Sequence, residues 1–176
     1  MVAVLKSLDA PTQAEFHEVI AARADRLYSA CLRITRNPAM AEDAVQDALL
    51  NAWNKRHQFE RTARLDTWIH RIAVNAALML IRKAKPATWE PLESDVQDDA
   101  PTPDVVHATA ELNTDLTEAM NQLTDIERMC FVLKHLEQWR LREIAEELDT
   151  TVGTIKQALF RALKKLRVSM ADLRSE

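Results

Sequence analysis

The sequence predicts an all-α protein: two small helical domains joined by a flexible, acidic, proline-containing linker, the C-terminal one containing a helix-turn-helix. The 176 residues include one glycine and few alternating β-branched runs, so no sheet signal competes with helix. Apolar residues instead recur at three-and-four spacing in several segments, separated by capping and breaking residues. Between these segments, residues 86–105 read PATWEPLESDVQDDAPTPDV, with four prolines and no Lys or Arg. This is the composition of a solvated spacer. An apolar content of 47% suffices for one ordinary domain or two small ones. The expected division is 1–86, a linker at 87–107, and 108–176.

The first helix is predicted over 14–36, with Phe16, Ile20, Leu27, Cys31 and Ile34 along one side and Glu15, Glu18, Arg26, Arg33 and Arg36 mostly away from it. Asn37-Pro38 is expected to end it, since proline cannot continue the backbone bonding. The second helix, AEDAVQDALLNAWNKR over 41–56, packs through Ala44, Val45, Ala48, Leu49, Ala52 and Trp53. Its other side is an acidic, amide-rich row of Asp43, Gln46, Asp47, Leu50, Asn51 and Asn54, with one leucine standing in it. Such a row is either a solvated face or a docking surface with Leu50 as its anchor.

The loop HQFERTAR, 57–64, sets Phe59 beside Arg61 and Arg64. That composition holds an unstacked base, the ring taking its face and the cations its phosphates. Equally, Phe59 tucks into the core. A third helix, DTWIHRIAVNAALMLIRK over 66–83, is expected to bury Trp68, Ile69, Ile72, Ala73, Ala76 and Leu80, leaving Thr67, His70, Arg71, Asn75, Arg82 and Lys83 outside or in a groove.

Beyond the linker, residues 108–122 form the next helix through Leu112, Leu116, Ala119, Met120 and Leu123. Thr124 and Glu127 have the spacing of a capping box for a helix from Asp125 that packs Ile126, Met129, Cys130 and Leu133. Leu141, Ile144, Ala145 and Leu148 mark a further helix. Asp149, Thr150 and Thr151 then interrupt the pattern and cap a last helix starting at Thr150 or Thr151. On a wheel, Val152, Ile155, Leu159, Ala162, Leu163 and Leu166 gather on one narrow side. The opposite arc holds Thr154, Lys156, Gln157, Phe160, Arg161, Lys164, Lys165 and Arg167, with Gly153 near its N-terminal end.

A major groove admits a helix, and its base edges are read by Arg, Lys and Gln, while an exposed aromatic touches a thymine methyl. The preceding helix and tight turn complete a helix-turn-helix, so this arc is expected to bind DNA. A glycine inside a helix costs about 1 kcal/mol relative to alanine, so Gly153 suggests that something approaches the backbone there.

Net charge is −4, but it is unevenly placed: +4 over 1–86, −7 over 87–112 and −1 over 113–176, where the last helix stays basic. Cys31 and Cys130 fall at apolar-periodic positions and are read as small buried hydrophobes of a reducing compartment. The five histidines have no ligand spacing with each other or the cysteines, so no metal or other cofactor is expected. Nor does any nucleophile, base and orienting group fall at catalytic spacing, so no enzyme is expected. MVAVLKSLDAP has too short an apolar run for a signal peptide, and the longest apolar stretch, near Ala76 to Ile81, is far below membrane length. The protein is expected in the cytoplasm. Three classes share this pattern: a transcription initiation factor, a stand-alone helix-turn-helix regulator with an N-terminal dimerisation or sensing domain, and a helical adaptor that binds only protein.

With both domains placed, almost the whole chain resembles the extracytoplasmic-function group of sigma factors in the sigma-70 family. AEDAVQDALLNAW is similar to the family's stretch that grips core RNA polymerase, FERTARLDTWIHRIAVNAALMLIRK to the part that opens and reads the −10 element, and LREIAEELDTTVGTIKQALFRALKKLR to its −35-reading helix-turn-helix. The resemblance implies that Asp43, Gln46, Asp47, Leu50, Asn51 and Trp53 bind the polymerase. It implies that Phe59, Arg61, Thr62 and Arg64 flank a flipped −10 base, with Arg71, Asn75, Arg82 and Lys83 along the neighbouring strand. Lys156, Gln157, Phe160 and Arg161, beside Thr154, would read the −35 element, and Lys164, Lys165 and Arg167 would hold phosphates. The implied partners are core RNA polymerase, promoter DNA (duplex at −35, single-stranded at −10), and an anti-sigma factor that restrains the protein. Two departures bear on base preference: the −10 loop lacks the glycine common in the family, and Gln157-Ala158 replaces a commoner Ser-Arg pair.

Overall fold

The computed structural model describes residues 10–84 and 114–173. Among these, every regular element is helical, and the chain divides into two compact units that separate after Pro86. Residues 108–113 of the helix expected over 108–122, Leu112 among them, and the linker at 87–107 lie outside the described residues.

In the first unit, α1 (Gln13–Thr35), α2 (Pro38–Asn54) and α3 (Leu65–Ala84) each pack against the other two. Helix α1 opens with a capping box: the Thr12 amide donates to Glu15 Oε2 at 2.7 Å, and the Glu15 amide donates to Thr12 Oγ1 at 3.3 Å. It closes at Arg36, whose amide donates to the Leu32 carbonyl and whose left-handed backbone (φ 53°) then turns the chain out of the helix. Asn37-Pro38 is a start signal as well as a stop, and the second helix begins three residues before the expected Ala41. Asn37 Oδ1 accepts the Met40 amide at 3.1 Å, and Pro38 takes the first helical position, where its missing N–H has no partner to lose.

Helix α2 buries an alanine stripe, Ala41, Ala44, Ala48 and Ala52. Its small residues allow the close approach of both neighbours. Helix α3 corrects the predicted face: Ile69 and Ala73 are buried as expected, but Val74, Ala77, Leu78 and Ile81 complete the core, and Trp68, Ile72, Ala76 and Leu80 are only half-buried. Because α3 is covered by both α1 and α2, its buried arc is wide and rotated from the side that a single-stripe wheel selects. Cys31 is fully buried, its thiol 3.5 Å from the Ala73 carbonyl.

In the second unit, α4 (Thr114–Met120), α5 (Asp125–Phe131) and α6 (Leu141–Glu147) all pack on α7 (Val152–Leu173). The Thr124/Glu127 capping box forms as the spacing predicts, with Thr124 N donating to Glu127 Oε2 at 3.0 Å and Glu127 N to Thr124 Oγ1 at 3.4 Å. Helix α5 continues into one widened turn over Val132–Leu136, closed by the Glu137 amide on the Val132 carbonyl. Cys130 lies in this core, where burial pushes its thiol up to about 12.

The turn between α6 and α7 is a Schellman closure. Asp149 is left-handed at φ 50°, its amide meets the Glu146 carbonyl at 3.2 Å, and the Thr150 amide meets the Ala145 carbonyl at 2.9 Å. Thr151 then caps α7 by accepting the Thr154 amide at 3.1 Å. Val152 is half-buried, while Ile155, Leu159, Ala162, Leu163 and Leu166 are buried on the predicted side, joined by Ala158.

Candidate nucleic-acid and partner interfaces

With its alanine stripe pressed inward, α2 must turn its opposite face out. Asp43, Gln46, Asp47, Leu50, Asn51 and Asn54 are all exposed, and Leu50 is 64% exposed, an isolated aliphatic side chain amid carboxylates and amides. Trp53 does not share this row. Its ring meets Phe16 edge-on at 5.2 Å, and the Arg56 guanidinium lies 4.0 Å from its centroid, so it serves the joint between α1 and α2.

The 57–64 loop begins with a 3-10 turn, Arg56–Gln58, and then departs from the base-platform reading. Phe59 is buried against Trp68, ring centroids 5.2 Å apart, so its faces are taken by the protein. Arg61 is left-handed (φ 54°), and its guanidinium donates to Glu15 Oε1 and Oε2 at 3.1 and 3.5 Å. Arg64 donates to both oxygens of Asp66 at 3.1 and 3.3 Å, and Arg23 reaches the same carboxylate at 3.3 Å.

These contacts set the carboxylates' titration. The Thr12 amide first, then Arg61, holds the exposed Glu15 carboxyl down at about 2. For Asp66, burial works upward, but the Arg64 bonds, the Thr67 amide and the charges of Arg64 and Arg23 together bring it below the ordinary carboxylate value. Thr62 and Ala63 remain exposed at the tip.

Along α3, Arg71, Arg82 and Lys83 are exposed. Asn75 is half-buried beside them, with an enclosed Oδ1 that has no partner among the described residues. Met79, 51% exposed, stands next to this row and was not singled out by its pattern. Sequence reasoning also missed the braces Glu15, Arg23 and Asp66. The Thr12–Glu15 spacing signals a helix start, but nothing local signals the arginine beyond it.

On α7, Lys156, Phe160, Arg161, Lys164 and Arg167 are exposed, Phe160 by 55%, while Thr154 and Gln157 are half-buried at the edge of the arc. Lys165 is a correction to the phosphate row. Its Nζ donates to the buried Glu127 Oε2 at 2.7 Å, tying α7 to the cap of α5. Gly153 is exposed, and among the described residues a Cβ there would meet only Thr151 Oγ1 at 3.6 Å, so no packing among them requires a glycine. Val168, 60% exposed, extends the outer face past the predicted row. Among the described residues, no three His, Cys, Asp or Glu side chains gather as a metal site would, and no helix is long and apolar enough to cross a membrane.

An exposed acidic row around Leu50 on one unit and a basic helix-turn-helix arc on the other mark a helical protein of the DNA-binding class. The family model for Sigma-70 region 2 matches residues 19–87, and that for Sigma-70, region 4, matches residues 114–166. The ECF RNA polymerase sigma factor SigW of Bacillus subtilis is 29% identical over 179 residues, covering 96% of each chain. The RNA polymerase sigma-E factor of Streptomyces coelicolor is 30% identical over 155 residues, covering 87% of this chain and 84% of that one. The chain belongs to the sigma-70 family of RNA polymerase sigma factors, in its extracytoplasmic-function group. In fold it is similar to the sigma factor RpoE solved in complex with the anti-sigma factor NepR from Bartonella quintana, with TM-score 0.57 and 23% identity over 89% of this chain and 96% of that one. The pairing of regions 2 and 4 gives no support to a stand-alone regulator.

Proposed function

We propose that this chain binds core RNA polymerase through the α2 row and directs transcription from promoters whose −35 and −10 elements it recognises. Asp43, Gln46, Asp47, Leu50 and Asn51 form the docking face, the leucine filling an apolar recess and the carboxylates meeting a basic rim. Lys156, Gln157, Phe160 and Arg161 enter the major groove at −35, with Thr154 at the helix start and Lys164 and Arg167 on phosphates. The 59–64 loop presents Thr62 to a −10 base lifted from the stack, flanked by Arg61 and Arg64, while Arg71, Asn75, Arg82 and Lys83 follow the melted strand. Residues 1–86 and 108–176 act as the two modules, with 87–107 as spacer. The protein works in the cytoplasm and performs no chemistry; bond formation belongs to the polymerase. An anti-sigma factor restrains it, a reading supported by the similar RpoE fold, which was solved in complex with one.

The observation that carries this reading is the order of the two sigma-70 regions on one chain, each displaying an exposed face of the required chemistry. Transcription by purified core polymerase on a promoter library, with and without the protein, tests it. Promoter-specific transcripts that appear only when the protein is added are expected. Unchanged transcript starts would refute it.

A further inference from the structure

Resting on the proposed role of the 59–64 loop in −10 capture, we infer that Glu15 is a positioning residue for base selection: its carboxylate holds Arg61 in place and so fixes where Thr62 and Ala63 are presented. The loop is anchored at one end by Phe59 in the core and at the other by Arg64 on Asp66. Between these anchors Arg61 adopts a left-handed backbone, unfavourable for an L side chain and maintained only where its surroundings impose it. Glu15 supplies a two-point contact at 3.1 and 3.5 Å from a chain position 46 residues away. The carboxylate is itself immobilised, since its Oε2 also accepts the Thr12 amide at 2.7 Å. A loop tied to the first turn of α1 reaches DNA already ordered, so binding does not have to supply that order. Glu15 lies upstream of the stretch matching region 2, which begins at residue 19.

Two other roles for the contact make different predictions. If Glu15 merely occupied an arginine that DNA needs, removing its charge would free Arg61 and tighten −10 binding. If Glu15 only capped α1, glutamine would replace it without effect, because Gln at this position also closes a capping box. A positioning role predicts loss of base discrimination in Glu15→Gln although the helix start is kept.

The test uses holoenzyme assembled from core polymerase and the full chain, transcribing a promoter library randomised across −10 and read by sequencing. Glu15→Gln should lower discrimination between preferred and disfavoured −10 bases by about two- to fivefold, the scale of a well-formed exposed ion pair. Affinity for core polymerase and −35 dependence should stay unchanged. Arg61→Gln removes the contact together with the cation that flanks the base, so the double variant should lose no more than Arg61→Gln alone. Unchanged discrimination, a gain in −10 binding, or additive losses in the double variant would each overturn the assignment. Thr62→Ala separates the levels: if it shifts base preference while Glu15→Gln does not, only the positioning role falls. If neither does, the loop's part in −10 capture falls as well.

Discussion

Replacing Leu50 with alanine should weaken polymerase binding while sparing the fold. Full burial of a leucine side chain is worth about 1.5–3 kcal/mol. Leu50 is 64% exposed in the free protein, so docking can newly cover about two-thirds of it. The loss is then roughly 1–2 kcal/mol, or about five- to thirtyfold in Kd. Stability should move by no more than about 0.5 kcal/mol, a melting shift of at most about 4 °C for a unit of this size. Leu27→Ala, at a position that is 2% exposed, should instead cost about 2–5 kcal/mol. Titration of labelled protein onto core polymerase, paired with circular-dichroism melts, measures both quantities. An affinity within twofold of the parent would mean that the α2 row is not the docking face. A melting drop of many degrees would place Leu50 in the core.

Lys156→Ala with Arg161→Ala should lower −35 duplex affinity by about 1–3 kcal/mol for each base edge no longer read, with polymerase affinity unchanged; fluorescence anisotropy on −35 duplexes checks this. Lys165→Ala should behave oppositely. Its charge is directed to Glu127, so thermal melts should show a loss of about 1–3 kcal/mol while the salt slope of DNA binding stays constant. Gly153→Ala should raise helix stability by up to about 1 kcal/mol, because among the described residues the added methyl has room. If DNA comes close to that backbone, the same variant should lose −35 affinity in the anisotropy assay.

What the sequence showed clearly was local. The Thr124–Glu127 box, the Thr151 cap, the buried side of α7 and the outward row of α2 each depend on residues within one or two turns, and periodicity reports such relations directly. The exceptions involve partners distant in the chain. Lys165 looks like one more cation on a basic arc until Glu127, 38 residues earlier, accepts its hydrogen bond. Sequence leaves Phe59 open between base platform and core until the fold sets Trp68 against it, and Trp53, on the packing side by periodicity, meets Phe16 across the helix joint and not the exposed row that the resemblance implies. The face of α3 departs from the single-stripe pattern because two neighbours, not one, cover it. Asn37-Pro38 signals the stop of one helix, and the same asparagine before proline also starts the next.

Both sulfur atoms of the cysteines are sealed away, one facing the Ala73 carbonyl and the other in a setting that keeps its proton on until about pH 12. Oxidants and electrophiles react with thiolates they can reach, and the folded chain offers them none. A peroxide or disulfide stress therefore finds neither Cys31 nor Cys130 within reach while the chain stays folded.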